Sequence, residues 1–265
     1  MPQLSKRTDA FTDSVIRRMT RISLQYGAVN LSQGFPDFDP PRAILDRLTE
    51  VANEDFHQYS ITWGAQNFRE ALAAKQSRFM GHSIDPDREV VVTCGSTEAM
   101  MCAMMTVTNP SDKVIVFSPF YENYGADTIL SGAEPIYVPL MPPDYRFDPE
   151  VLEDAFRQQP KALVLCNPHN PVSRAWKREE LQAMIDLLAR YGAYLIADEI
   201  HADFVYAPEQ FVPVLSLAQK NVLSLCAASK TFNLAGLEQA AMLVPDEAVR
   251  AKINTEMERA GVRSG

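Results

Sequence analysis

An α/β fold with a mostly parallel central sheet flanked by helices is the class this 265-residue sequence predicts, and three observations lead there. Short strand-like runs lack a polar face, helical segments separate them, and unusual polar residues sit directly after several of the runs. Strands with no polar face are covered on both sides, which is the situation of parallel strands in layered α/β domains. In chain order, Phe11, Val15, Ile16, Met19 and Ile22 recur near helical spacing and predict a helix within 8–27. Pro36, Pro40 and Pro41 exclude regular structure across the stretch NLSQGFPDFDPP that follows. A helix is expected at roughly 66–80, a strand at 90–93, a helix at 97–107 and a strand at 113–117. The alternation returns with a strand at 162–166, a helix at 178–190, and strands at 194–197 and 222–225. The expected organisation is an N-terminal helix and extended arm over 1–43 and one large domain over 44–265.

Composition narrows the function. With 46% hydrophobic residues the chain can bury a substantial core. A formal net charge of -9 and the lack of a basic run argue against nucleic acid as a partner, because phosphate backbones are held by clustered Lys and Arg. Cys94, Cys102, Cys166 and Cys226 form no CxxC pair, so neither a zinc site nor a redox pair is indicated, and buried free thiols are the plainer reading. The N-terminus lacks the apolar core of a signal peptide, and no run of about 18 apolar residues is present to span a bilayer. A cytoplasmic protein with no membrane partner is expected.

Chemistry in open α/β sheets gathers beyond the carboxyl ends of the strands, and four such ends carry polar groups. In CGSTEAM (94–100), Gly95 lets an anion approach amides at a helix start, with Ser96 or Thr97 as the cap; a simple N-cap reads the same way. In CNPHNP (166–171), two prolines bracket Asn170, whose amide can donate to a ring oxygen or merely stabilise the turn. In ADEIHADFVY (197–206), Asp198 emerges from an apolar strand and needs a partner, which a protonated ring nitrogen would supply; a metal or a helix cap are alternatives. His201, three residues on, is either a surface histidine or a ring or substrate contact. In CAASKTFNLAGL (226–237), Lys230 follows an apolar strand; a desolvated lysine has a lowered pKa and attacks aldehydes, whereas a solvated loop lysine does neither.

Taken together, Gly95-Ser96-Thr97, CNPHNP, ADEIH and SKTFNLAGL, in that order, resemble fold-type-I pyridoxal 5'-phosphate (PLP) enzymes of the class I/II aminotransferase superfamily. NLSQGFPDFDPP and HQYSITWGAQNFREAL (57–72) look like the same family, so the resemblance covers nearly the whole chain. It implies that Lys230 is the Schiff-base lysine, that Asp198 pairs with the pyridine nitrogen, and that Asn170 bonds the phenolic oxygen of the cofactor. It further implies that Ser96 and Thr97 receive the phosphate, Tyr121 stacks on the ring, His201 and Ser229 contact the cofactor, and the backbone at Gly34 lies near the substrate carboxylate. Tyr59 matches a tyrosine that reaches across a homodimer to the neighbour's cofactor. The implied substrates are an L-amino acid and a 2-oxo acid, with no metal.

Three departures mark the chain. Ala227 stands where the family usually has serine and Glu238 where it usually has arginine, so either Glu238 points away or phosphate is held less tightly. SKTFNLAGL and His201 also look like the cystathionine beta-lyase branch, which makes a carbon-sulfur lyase the second expectation. The sequence given ends about 35 residues after Lys230, where the family continues into a C-terminal small domain; a largely missing small domain is therefore expected, and a non-catalytic remnant is the third reading. Arg263 has no context marking it as a substitute for the family's carboxylate-binding arginine.

Overall fold

The computed structural model describes residues 6, 9, 11, 13–34, 36–55 and 57–260. The chain separates into two compact units, Met1–Glu54 and Asp55–Gly265. In the first, α1 (Val15–Tyr26) starts where Ser14 Oγ accepts from Arg17 N–H and stops at Gly27, which takes the left-handed conformation that ends helices. The helix thus begins later than the spacing from Phe11 predicts, since a capping side chain rather than an apolar repeat sets the start. Asn30 and Gln33 both hydrogen-bond Thr20, folding the arm back on α1. Helix α2 (Arg42–Val51) follows directly on Pro41. Positions 8, 10, 12 and 35 of the predicted helix and arm, and Arg263 of the tail, lie outside the described residues.

The second unit carries α3 (Gln66–Met80), β1 (Val90–Cys94), α4 (Gly95–Val107), β2 (Lys113–Ser118), α5 (Asn123–Leu130), β3 (Glu134–Met141) and β4 (Arg146–Phe147). It continues with α6 (Pro149–Arg157), β5 (Ala162–Cys166), α7 (Arg178–Tyr191), β6 (Tyr194–Asp198), β7 (Val222–Ala227), β8 (Gln239–Leu243) and α8 (Glu247–Ala260). The strands form one sheet in the order β1-β8-β7-β6-β5-β2-β3-β4. Four of its seven neighbouring pairs are parallel, and β8 runs antiparallel to both β7 and β1. The α/β class and the mostly parallel sheet both hold, the antiparallel pairs being those of β8 and of the short β4. Burial alone does not reveal direction: β8 is as apolar and nearly as buried as β5 and β6, which pair in parallel with each other.

Alternation along each strand produces two cores. Ile115, Phe117, Leu163, Leu165, Leu195 and Ala197 pack on the face covered by α3, α6 and α7. Val114, Val116, Ala162, Val164 and Ile196 pack on the face covered by α4, α5 and α8. Two-sided burial is why these strands read as continuous apolar runs. Ahead of α3 the chain is fastened to β1: Val92 N–H donates to Trp63 O at 3.0 Å, and Arg69 Nε donates to Gly64 O at 3.0 Å. Gly64 sits at φ 105°, and a Cβ there would meet Val92 at 2.3 Å, so only glycine fits. Among the described residues no helix is long and apolar enough to cross a membrane, and no group of three or more His, Cys, Asp or Glu is placed to hold a metal.

Candidate active site

Because β8 is antiparallel to both β1 and β7, the latter two run the same way, and the carboxyl ends of β1, β5, β6 and β7 share one edge of the sheet. Register completes the convergence. Cys166 lies opposite Asp198, Asp198 opposite Leu225, and the start of β8 places Gln239 beside Cys94 and Ala240 beside Ala227. All four polar strand-end motifs therefore reach the same edge.

Asp198 closes β6 and is almost fully buried. Its Oδ2 accepts from the phenol of Tyr124 at 2.7 Å and its Oδ1 from Ile200 N–H at 3.3 Å. Burial pushes the Asp198 carboxyl up, and the two hydrogen bonds and the charges of His201 and Lys230 pull it down without cancelling that effect. A carboxylate in this state lacks a full counter-charge, so a cationic N–H presented to it would be bound strongly. Burial first, and the Asp198 charge second, hold the Tyr124 phenol well above its ordinary value, so Tyr124 stays a donor.

Lys230 lies in the turn after β7, close enough to act electrostatically on both Asp198 and His201. The desolvated amine anticipated from the sequence is not what the structure shows: Lys230 is exposed, because its turn leaves the sheet edge toward solvent after the last buried strand residues. His201 is half-buried; burial lowers its pKa and Asp198 opposes that. A cavity of about 460 Å³ opens beside His201 and is lined by His169, Asn170, Ser173, Phe204 and Tyr206. The Asn170 N–H donates to Cys166 Sγ at 3.4 Å, fixing the turn from which Asn170 lines this cavity.

On the other side of the strand ends, Gly95 opens α4 at φ 81°, and no side chain caps that helix start. Ser96 is half-buried and Thr97 exposed. Glu98 turns back to accept from Cys94 N–H at 2.5 Å. Glu238 does not point away from this place. It adopts a left-handed conformation (φ 46°) just before β8, packs against Gly95, and holds Oε2 3.7 Å from Cys94 Sγ. Tyr121 meets Tyr124 edge-on with ring centroids 5.7 Å apart, Ser229 is half-buried beside Lys230, and Tyr59 is 86% exposed. Gly34 belongs to the first unit.

Sequence reading passed over Tyr124 and Glu199. Tyr124 follows Tyr121 by three residues, and only the fold shows that it, from beside β2, reaches the end of β6. Glu199 is fully buried on the far side of the strand end from Asp198, accepting from Asn167 Nδ2, Val214 N–H and Ser224 Oγ at 2.9, 3.0 and 2.6 Å. Burial raises its carboxyl to about 7 against those three donors. Its signal was Ser224, a polar residue within the apolar VLSLC run.

Comparison with known proteins gives a consistent picture. The family model described as aminotransferase class I and II matches residues 26–259. Methionine aminotransferase of Escherichia coli K12 is 32% identical over 238 residues, which is 89% of this chain and 60% of that protein. Kynurenine--oxoglutarate transaminase 3 of Rattus norvegicus is 31% identical over 245 residues, 88% of this chain and 54% of that one. The solved N-succinyldiaminopimelate aminotransferase of Mycobacterium tuberculosis superimposes with a TM-score of 0.92 at 28% identity, covering all of this chain and 69% of its own. The chain thus spans a little over half the length of the curated relatives it matches. With a family match over most of its length and that family's strand-end motifs gathered on one edge, the chain belongs to the class I and II aminotransferases.

Proposed function

We propose that this chain is the cofactor-binding large domain, over 44–265, of a PLP-dependent aminotransferase that moves an amino group between an L-amino acid and a 2-oxo acid. The observation that carries the proposal is Asp198: buried, held by Tyr124, short of counter-charge, and within electrostatic reach of the one lysine in the turn after β7. The residues present suit the cofactor. Asp198 meets a ring N–H, the uncapped amides of α4 with Ser96 and Thr97 meet a phosphate, and Lys230 supplies the amine; Glu238 is the group that opposes the phosphate.

When bound, PLP supplies an aldehyde for the Lys230 amine and a ring that draws electrons from the bonds of the substrate's alpha carbon. Asp198 keeps a proton on the ring nitrogen, and Tyr124 keeps Asp198 oriented. Lys230 Nζ would be the group that takes up and returns the substrate's alpha proton, as general base and acid. Asn170 and His201, on the wall of the 460 Å³ cavity, orient the groups presented there, and Ser229 and Tyr121 complete the cofactor contacts. The exposed Tyr59 suits a homodimer in which it reaches the partner's site, and a cytoplasmic location suits the free thiols of Cys94, Cys102, Cys166 and Cys226. His201 beside Asp198, together with SKTFNLAGL, supports carbon-sulfur beta-lyase action as the second reading.

Added PLP should give a violet-region absorbance band with the unaltered chain and none with Lys230→Ala. Equal spectra would overturn the assignment of Lys230. Incubation with an amino acid and an oxo acid should then yield the exchanged pair; pyruvate and ammonia from cystathionine would favour the lyase.

A further inference from the structure

Lys230 itself is exposed, yet the residue after it is firmly held. Thr231 Oγ1 donates to Asp203 Oδ2 at 2.7 Å, and Lys75 Nζ donates to the same oxygen at 2.8 Å. Asp203 lies in a short 3-10 turn, Ala202–Phe204, that starts directly after His201. One carboxylate oxygen therefore joins α3, the loop carrying Asp198 and His201, and the turn carrying Lys230. We infer that Asp203, through Thr231, is a positioning residue that sets where the Lys230 amine stands relative to Asp198. The inference rests on the reading of Lys230 as the cofactor-binding amine.

Three further observations support it. First, the turn's backbone–backbone bonds, Phe232 N–H to Ala228 O and Leu234 N–H to Ser229 O, stay within the turn, and Ala228 N–H, which donates to Gln239 Oε1 of β8 at 3.3 Å, fastens the start of the turn and not the part beside Lys230. Second, a cavity of about 180 Å³ lies under it, lined by Leu72, Lys75, Cys226, Ala228, Phe232 and Gln239. Packing from below is incomplete, so a lateral tie has more to hold. Third, Asp203 is kept as the ionised acceptor: partial burial pushes its carboxyl up, but Lys75 and Thr231 outweigh that and leave it below the ordinary value. A hydrogen bond to an ionised acceptor is about twice as strong as a neutral one, enough to hold a two-residue lever.

The test is borohydride trapping of PLP on the full chain, with peptide mass spectrometry reporting how much of the adduct is on Lys230 rather than on other lysines. Asp203→Ala and Thr231→Val should each cut the Lys230 fraction about tenfold, as loss of one charge-assisted hydrogen bond implies, and the double variant should add little to either. Thr231→Ser, which keeps the hydroxyl, should restore the fraction to within about twofold of the original, a rescue that a packing role for the Thr231 methyl would not give. Thr231→Val decides the matter if Asp203→Ala fails to fold by circular dichroism. Unchanged trapping at Lys230 in folded Thr231→Val overturns the Asp203 role alone. No adduct on Lys230 in the unaltered chain overturns both this inference and the reading beneath it.

Discussion

The end of β6 and the first turn of α4 lie along the same sheet edge and are built in opposite ways. At β6, Asp198 and Glu199 are buried, and apart from the local Ile200 N–H bond to Asp198 their side-chain bonds are to groups fixed by other segments: Tyr124, Ser224, Asn167, Val214. At α4 the N-cap residue Cys94 gives no side-chain cap, the helix's own Glu98 turns back onto the Cys94 N–H, Thr97 is exposed, and Glu238, which comes in from the start of β8, carries the same sign of charge as a phosphate. The difference teaches where the fold has invested its organisation. The end that must hold a proton in a dry setting is determined by tertiary contacts, whereas the end that must hold an anion relies on backbone amides that any helix start provides.

Substitutions sharpen or break that contrast. Asp198→Ala should have the largest effect: it removes a buried, hydrogen-bonded charge and strands the Tyr124 phenol, so PLP affinity should fall roughly hundredfold, equivalent to about 3 kcal/mol, in an absorbance titration. An unchanged affinity would mean the β6 end does not hold the ring.

A buried carboxylate without such partners provides the next comparison. Asp127 on α5 is 5% exposed, its Oδ2 has no hydrogen-bond partner, and burial raises it from 3.8 to about 7. Since its folded-state pKa lies above the unfolded one, the stability it allows is complete below pH 3.8 and is lost as pH rises to about 7. Unfolding midpoints in denaturant between pH 4 and pH 8 should show a loss on the order of 3 kcal/mol that is absent in Asp127→Asn. Parallel curves for the two proteins would sink this account of Asp127.

Tyr124→Phe should come next, weakening PLP binding by about 2 kcal/mol because one hydrogen bond to a buried charged group is lost while the ring still packs. The smallest effect is at α4. Glu238→Gln removes a repulsive charge near the helix start and should tighten PLP binding a few-fold, about 0.5–1 kcal/mol, more at low salt than at high. Weaker binding in Glu238→Gln would reverse the contrast between the two ends.

Much of the fold was readable. Helices starting at Gln66 and Arg178 and strands such as Ala162–Cys166 lie where apolar spacing puts them, since these segments satisfy their period locally. Helices α2, α5, α6 and α8 and strands β3, β4 and β8 were not foreseen; β3 exposes alternate residues including Tyr137 and Met141, and α8 buries only Val249, Ile253 and Met257, so neither shows a strong pattern. Of the candidate site, Asp198, Asn170 and Lys230 were legible because each follows an apolar strand. Tyr124, Asp203 and the true place of Glu238 were not, because each acts on a residue tens of positions away or more.

By itself the sequence determined the layered α/β class, the strands that end in polar residues, and the family, because apolar periodicity and short motifs are local properties of a chain. Only the tertiary structure decided that β8 runs antiparallel and so brings Cys94 and Gly95 to the same edge as Asp198 and the turn bearing Lys230. It also decided that Lys230 is exposed and that Asp203 grips the residue next to it. Strand direction, solvent exposure and long-range hydrogen bonds depend on which surfaces meet, and that is set by packing among distant segments rather than by any one of them.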